Sequence, residues 1–185
     1  HVLAEAALPL AREVVVIEYG ERELNGQEPP PPVPAAMAAV NAVLAVTSKS
    51  ITHTAARRAA TAAGARVATM PGITADCLIR TMNADYHAIA DRTRRVTELL
   101  TRARVARLTT RLGTDITLPI AGIAAIASTG LILEAGEWGN LPSGEAYLRP
   151  EEGKSEGVVV VDGALAGIGM VTEPVRITVK AGVAV

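Results

Sequence analysis

Short apolar runs alternate with an alanine-rich helical stretch and polar loops, and this alternation constrains the fold more than any other feature of the chain. Val14-Val15-Val16-Ile17 is a continuous β-branched run, the pattern of a strand buried on both faces. Ala42-Val43-Leu44-Ala45-Val46-Thr47 forms a second run, followed by the polar loop Ser48 to Thr54 and a helical stretch from Ala55 to Ala63. Gly64 is placed to stop that helix, and Arg66-Val67-Ala68-Thr69 resumes a strand before the Pro71-Gly72 break. The order β-α-β-α-β predicts a parallel sheet with helices on both faces, because crossovers between parallel strands are right-handed. Open α/β sheets place ligands outside the carboxyl ends of their strands, and the Ser/Thr/Lys/His loop lies at such an end.

The connections support this division. Pro29 to Pro32 impose extended geometry, and Pro34 can open a helix through Ala39; a rigid connection is the simpler reading than a proline-rich ligand motif. Thr74 is a plausible cap for a further helix, and a longer one runs from about Tyr86 to Ala103. In that helix Ile89, Val96, Leu99, Leu100 and Ala103 return at helical spacing as the expected core face, while its arginines read as a solvated face. From Val105 the pattern changes to short strands at 105–110, 115–120, 158–161 and 175–180 with frequent turn glycines. The expected architecture is therefore α/β: a βαβ domain over residues 1–104, Rossmann-like in its alternation, then a β-rich α+β domain over 105–185. The second domain reads as truncated, since Val183-Ala184-Val185 looks like the start of another element.

Composition narrows the function classes. Phe is absent and much of the 49% hydrophobic content is Ala, so the core must be built from Val, Ile, Leu and Ala with elements packed closely. A formal net charge of −1 gives no electrostatic footprint for nucleic acid or an anionic membrane surface, and neither partner is expected. The single cysteine, Cys77, cannot form an internal disulfide, which makes a reducing cytoplasm the simplest compartment. No apolar stretch approaches the roughly 20 residues of a membrane span, and the amino terminus, His1, lacks a signal-peptide pattern.

Chemistry-bearing residues concentrate in a few loops. His53 could contact an anionic group or act as an acid or base, or could simply cap or brace the helix it precedes. The hydroxyls of Ser50, Thr52 and Thr54 beside it do not make a nucleophilic triad. Gly163 to Gly169 carries closely spaced glycines but leads to a strand, so it is no dinucleotide fingerprint. Gly136 to Tyr147 holds the only Trp, turn residues and two carboxylates, and delivers Glu145 to a strand start. Asp115 occupies a similar position after Gly113-Thr114. Two such loops on adjacent strands would bring the carboxylates together for proton transfer or for a hard metal ion. Glu137 and Trp138 read as residues that shape the loop, and Glu151 and Glu152 as solvated.

Taken in order, several motifs resemble a known family. Glu28-Pro29-Pro30, Thr52-His53-Thr54-Ala55-Ala56-Arg57, Ala63-Gly64-Ala65-Arg66-Val67, Met70-Pro71-Gly72, Gly113-Thr114-Asp115 and Gly139-Asn140-Leu141-Pro142-Ser143-Gly144-Glu145 are similar to the amino-terminal part of bacterial leucyl aminopeptidase-like proteins related to aminopeptidase T. The resemblance implies a homodimeric metallopeptidase, a hydrolase that removes amino-terminal residues from peptides through a two-metal centre, zinc or cobalt. Glu145 matches a glutamate that ligates metal in that family, which makes it the expected metal ligand. The remaining expected ligands, a further Glu and a His/His/Asp group, belong to a carboxyl-terminal portion beyond Val185. Only His1, His53 and His87 are present, none of them after Glu145. A related branch of the same architecture is similar to 2,5-dihydroxypyridine dioxygenase, a mononuclear iron enzyme of ring cleavage, and stands as the enzyme alternative. A noncatalytic binding or structural module is the third reading.

Overall fold

The computed structural model describes residues 1–185. Five helices, α1 (Val2–Ala7), α2 (Pro32–Ala38), α3 (Ala55–Ala62), α4 (Ala75–Met82) and α5 (Tyr86–Arg102), accompany twelve short strands. The strands are β1 (Ala42–Ala45), β2 (Arg66–Thr69), β3 (Val105–Thr109), β4 (Asp115–Pro119), β5 (Ile126–Ser128), β6 (Trp138–Asn140), β7 (Glu145–Tyr147), β8 (Glu156–Val161), β9 (Ala164–Leu165), β10 (Gly169–Met170), β11 (Val175–Lys180) and β12 (Val183–Ala184). They form two compact units. The first comprises 1–84 with 130–143, and the second 85–129 with 144–185. Where one boundary near 104 was expected, the chain crosses between the units three times, after residues 84, 129 and 143, and α5 falls in the second unit.

The first unit is built on a parallel sheet of order β1-β2-β6. Val67 and Ala68 of β2 are buried, as expected of a central parallel strand covered on both faces. Alanines on α3 let the helix approach the sheet closely: Ala56 and Ala60 join Val33, Met37, Ala45, Ile51, Ala65 and Val67 in one core. Both ends of α3 are chemically defined. The Thr54 hydroxyl accepts from the Arg57 amide at 3.2 Å, and the Glu28 carboxylate accepts from the amides of Ala55 and Ala56. At the other end Gly64 takes φ +96°, its amide reaching the Thr61 carbonyl at 3.0 Å while the Ala65 amide reaches the Ala60 carbonyl at 3.0 Å.

The third strand of this sheet is not the one expected. Val14 to Ile17 joins no ladder, with Val15 65% and Val16 52% exposed. β-branching favours extended backbone but does not by itself supply a partner: the outer edge of β1 is open, and this segment does not pair with it. The place is taken by β6, far along the chain, whose Trp138, Gly139 and Asn140 pair in register with Val67, Ala68 and Thr69.

The second unit holds an antiparallel sheet of order β12-β11-β8-β4-β3, a β5-β7 pair against α5, and the small β9-β10 hairpin. The strand-rich pattern expected from Val105 is observed, and with the parallel sheet it makes the mixed α/β fold read from the sequence. The buried face of α5 differs from the expected stripe. Ala90 and Thr93 are its buried residues, while Val96 and Leu99 are 47% and 69% exposed. The short β5-β7 pair offers only a small surface to pack on, and small side chains occupy the closest approach.

Candidate functional site

The carboxyl ends of the parallel strands gather polar side chains into one hydrogen-bonded chain. Thr69 closes β2 and Asn140 closes β6, directly opposite each other in the register. The loop after β1 brings Ser50 and Thr52 to the same place. Ser50 Oγ donates to Thr52 Oγ1 at 2.9 Å, Thr52 Oγ1 and Thr69 Oγ1 are 2.8 Å apart, and Thr69 Oγ1 donates to Asn140 Oδ1 at 2.9 Å. With one proton per hydroxyl, the run Ser50 to Thr52 to Thr69 to Asn140 lets Thr52 and Thr69 each donate once and accept once. Thr52 and Thr69 are buried, so this satisfaction is what makes their burial tolerable. Asn140 itself is exposed, with its Oδ1 taken up by this run.

Beside this chain lies a cation–aromatic stack. Arg57, buried on α3, donates through Nε to the Thr52 carbonyl at 2.7 Å and sets its guanidinium carbon 4.0 Å from the centre of the Trp138 ring. Burial lowers the pKa of Arg57 from the ordinary arginine value, and neighbouring Arg58 pushes in the same direction. His53 stands exposed and meets Trp138 edge to face, ring centres 5.9 Å apart. Trp138 and Asn140 lie two residues apart on β6 and so share one face of the sheet. Sequence reading singled out His53, Ser50, Thr52 and Trp138, but treated Thr69 as strand core and Asn140 as part of a turn. Thr69 and Asn140 were legible only as strand-end residues, because nothing local shows that β2 and β6 are neighbours.

The two carboxylates expected to converge do not. Asp115 opens β4 in the five-stranded sheet, whereas Glu145 opens β7 in the β5-β7 pair, so the strands are not adjacent. Asp115 is instead held by Arg107 across the β3-β4 pair in a two-pronged contact at 2.8 and 2.7 Å. The hydrogen bonds from Arg107 hold the Asp115 carboxyl below the usual carboxylate range. Glu145 is exposed and stands opposite Ser128 in the ladder. Glu137 turns back on its own loop, accepting from the amides of Leu133 and Glu134 at 2.6 and 2.9 Å, which is the shaping role expected of it. No three His, Cys, Asp or Glu side chains converge in a way that could hold a metal ion. The residues present therefore do not fit a metal centre of their own.

The chain matches the family described as 2,5-dihydroxypyridine 5,6-dioxygenase over residues 8–185. It belongs to this family. Among solved structures, the chain is similar in fold to the 2,5-dihydroxypyridine dioxygenase of Pseudomonas putida KT2440, with a TM-score of 0.64 at 22% identity. That alignment covers 80% of this chain and 42% of the other, so the chain spans under half the length of that structure. At this identity the likeness speaks for the fold. No curated protein matches the chain. Membership of the dihydroxypyridine dioxygenase family overturns the main expectation. The peptide-cleaving hydrolase reading, with its aminopeptidase and protease chemistry, has no support, and zinc or cobalt lose theirs with it. The ring-cleaving branch, held as the alternative, is the one the family match favours, and the metal that branch implies is iron. No helix is long and apolar enough to cross a membrane.

Proposed function

We propose that the protein is a ring-opening dioxygenase acting on a dihydroxylated pyridine, with this chain supplying the α/β unit and part of the β-rich unit. The observation that carries the reading is the family match over residues 8–185. The polar strand ends support it, since they offer what a flat ring bearing hydroxyl groups requires. The side-chain amide of exposed Asn140 can donate to a ring oxygen, and exposed His53 beside Trp138 can meet an ionised hydroxyl.

Iron is the metal of this reading, and Glu145 is the residue of the chain we assign as a ligand. One carboxylate does not hold an ion, so the assignment is tested by metal content. Glu145→Gln should lower the iron retained by the intact protein, and unchanged retention would remove Glu145 from the site. A homodimer in a reducing cytoplasm completes the reading, with sedimentation as the check on the assembly. For the activity, the intact protein supplied with ferrous iron should consume oxygen in step with loss of the ultraviolet absorbance of 2,5-dihydroxypyridine. Substrate left intact, with no oxygen uptake by the iron-loaded protein, would refute the reading.

A further inference from the structure

Arg57 is a buried cation that no anion balances. It is 7% exposed, held by the Thr52 carbonyl through Nε at 2.7 Å and by the Trp138 ring at 4.0 Å, and it forms no ion pair. Arg58, the next residue, donates from Nη1 to the His53 carbonyl at 2.6 Å and is likewise unpaired with any carboxylate. The carboxylates that approach these elements are engaged elsewhere. Glu28 accepts from the amides of Ala55 and Ala56, and Glu137, beside Trp138, accepts from those of Leu133 and Glu134. Two guanidinium groups therefore bind consecutive carbonyls of one loop with no counter-charge, and a buried charge left unbalanced is costly.

The arrangement selects the kind of anion that would balance it. Arg57 is enclosed and its Nε is spent on Thr52, so it cannot offer the two-pronged contact that grips a compact phosphate or carboxylate. Its charge acts instead through its field and through the Trp138 ring, from which it draws electron density. Trp138 is 42% exposed, shares a sheet face with exposed Asn140, and has exposed His53 at its edge. An anion whose charge is spread over a flat ring suits an aromatic surface polarised in this way.

We propose that Arg57 is a specificity-determining residue of this site: acting through Trp138 and across the Thr52 loop, it makes the site take the ionised form of a ring-hydroxylated ligand over the neutral form. The inference rests on the dioxygenase reading for the kind of ligand. Arg57 is a positioning residue here, since its effect reaches the ligand through other groups.

The test is ultraviolet difference spectroscopy of 2,5-dihydroxypyridine bound to the intact protein without oxygen, where the ring stays closed and ionising a ring hydroxyl moves the absorbance to longer wavelength. Titrated against pH, the bound ligand should ionise about one pH unit or more below the free ligand. Arg57→Met should return the midpoint close to that of the free ligand. Arg57→Lys, which keeps the charge, should retain most of the shift, a rescue that a purely structural role does not produce. His53 and Arg58 are common to all three proteins, so the differences isolate Arg57. Should Arg57→Met fail to fold, the wild-type midpoint and Arg57→Lys decide. No binding, a bound midpoint at or above the free one, the full shift in Arg57→Met, or a folded Arg57→Lys protein without the shift would each overturn the proposal. Oxygen uptake by the iron-loaded protein is scored separately: turnover without the shift sinks this inference alone, and the shift without turnover sinks the dioxygenase reading alone.

Discussion

Replacing Gly157 by alanine should be among the most damaging single changes in the second unit. Gly157 sits in β8, the middle strand of the five-stranded sheet, opposite Ile116 of β4 and Val179 of β11. Its φ is +137°, a region that side-chain-bearing residues rarely enter, at a cost of about 1–3 kcal/mol. An added Cβ would lie 2.2 Å from the Asp115 carbonyl oxygen and 2.7 Å from Ile116 Cα. Both are backbone atoms, so no rotamer change relieves the overlap and β4 must move, adding about 1–3 kcal/mol. The stiffer unfolded chain returns about 0.4–1 kcal/mol, which leaves a net loss near 3 kcal/mol out of a typical total of about 5–15.

The assay is denaturant unfolding combined with hydrogen exchange at the amides of β4 and β8, which reports on this sheet specifically. Two glycine controls separate the causes. Gly163→Ala meets no atom within 4 Å and has no positive φ, so it should change stability by less than about 0.5 kcal/mol. Gly153→Ala has open space but φ +75°, so it isolates the backbone cost at about 1 kcal/mol. If Gly157→Ala proves no more harmful than Gly153→Ala, the close approach of β4 and β8 is not as described.

Three further outcomes are expected. Thr69→Val, which keeps shape and removes the last hydroxyl of the Ser50-to-Asn140 run, should cost about 0.5–1.5 kcal/mol by unfolding, because the contacts to Thr52 and Asn140 are lost and Thr52 keeps only the longer 3.3 Å contact to Asn140 as acceptor; a neutral result would show the run is not closed. Arg57→Met should keep the apolar stem but lose the Thr52 carbonyl contact and the stack on Trp138, lowering stability by about 1–3 kcal/mol and altering the fluorescence of the only Trp; an unchanged spectrum would refute the stack. The folded pKa of Asp115 is depressed, so its pairing with Arg107 contributes above the unfolded value and is lost as pH falls through the folded one. A carboxyl titration by NMR should give a midpoint below 3.8 that returns toward it in Arg107→Ala, and a wild-type midpoint at or above 3.8 would contradict the contact.

Much of the local structure was legible from the chain alone, because it depends on neighbours in sequence. The hydroxyl of Thr54, the freedom of Gly64 to take positive φ and the alanines between them specify α3 without reference to anything distant. The apolar runs at Ala42 and Arg66 likewise specify β1 and β2, and the alternation in Val175 to Lys180 specifies β11. The expectations that failed all concern partners. Val14 to Ile17 has the propensity of a strand but pairs with neither open edge of the parallel sheet, and the stripe on α5 was read from spacing although the surface it meets was unknown.

The same distinction governs the stretch from Gly136 to Tyr147. Its turns and the position of Glu145 at a strand start follow from glycine and proline chemistry, and the structure keeps both. Its two halves nevertheless separate, Trp138 to Asn140 completing the parallel sheet of the first unit and Glu145 opening a strand of the second. The sequence by itself determined α3 and α5 and the strands that begin near Ala42, Arg66, Val105, Asp115, Val158 and Val175. Only the tertiary structure decided that Asn140 meets Thr69 and Thr52, and that Asp115 meets Arg107 and not Glu145. Pairing between segments 70 or more residues apart is set by which edges and faces remain unfilled once the local elements exist, and no local pattern encodes that.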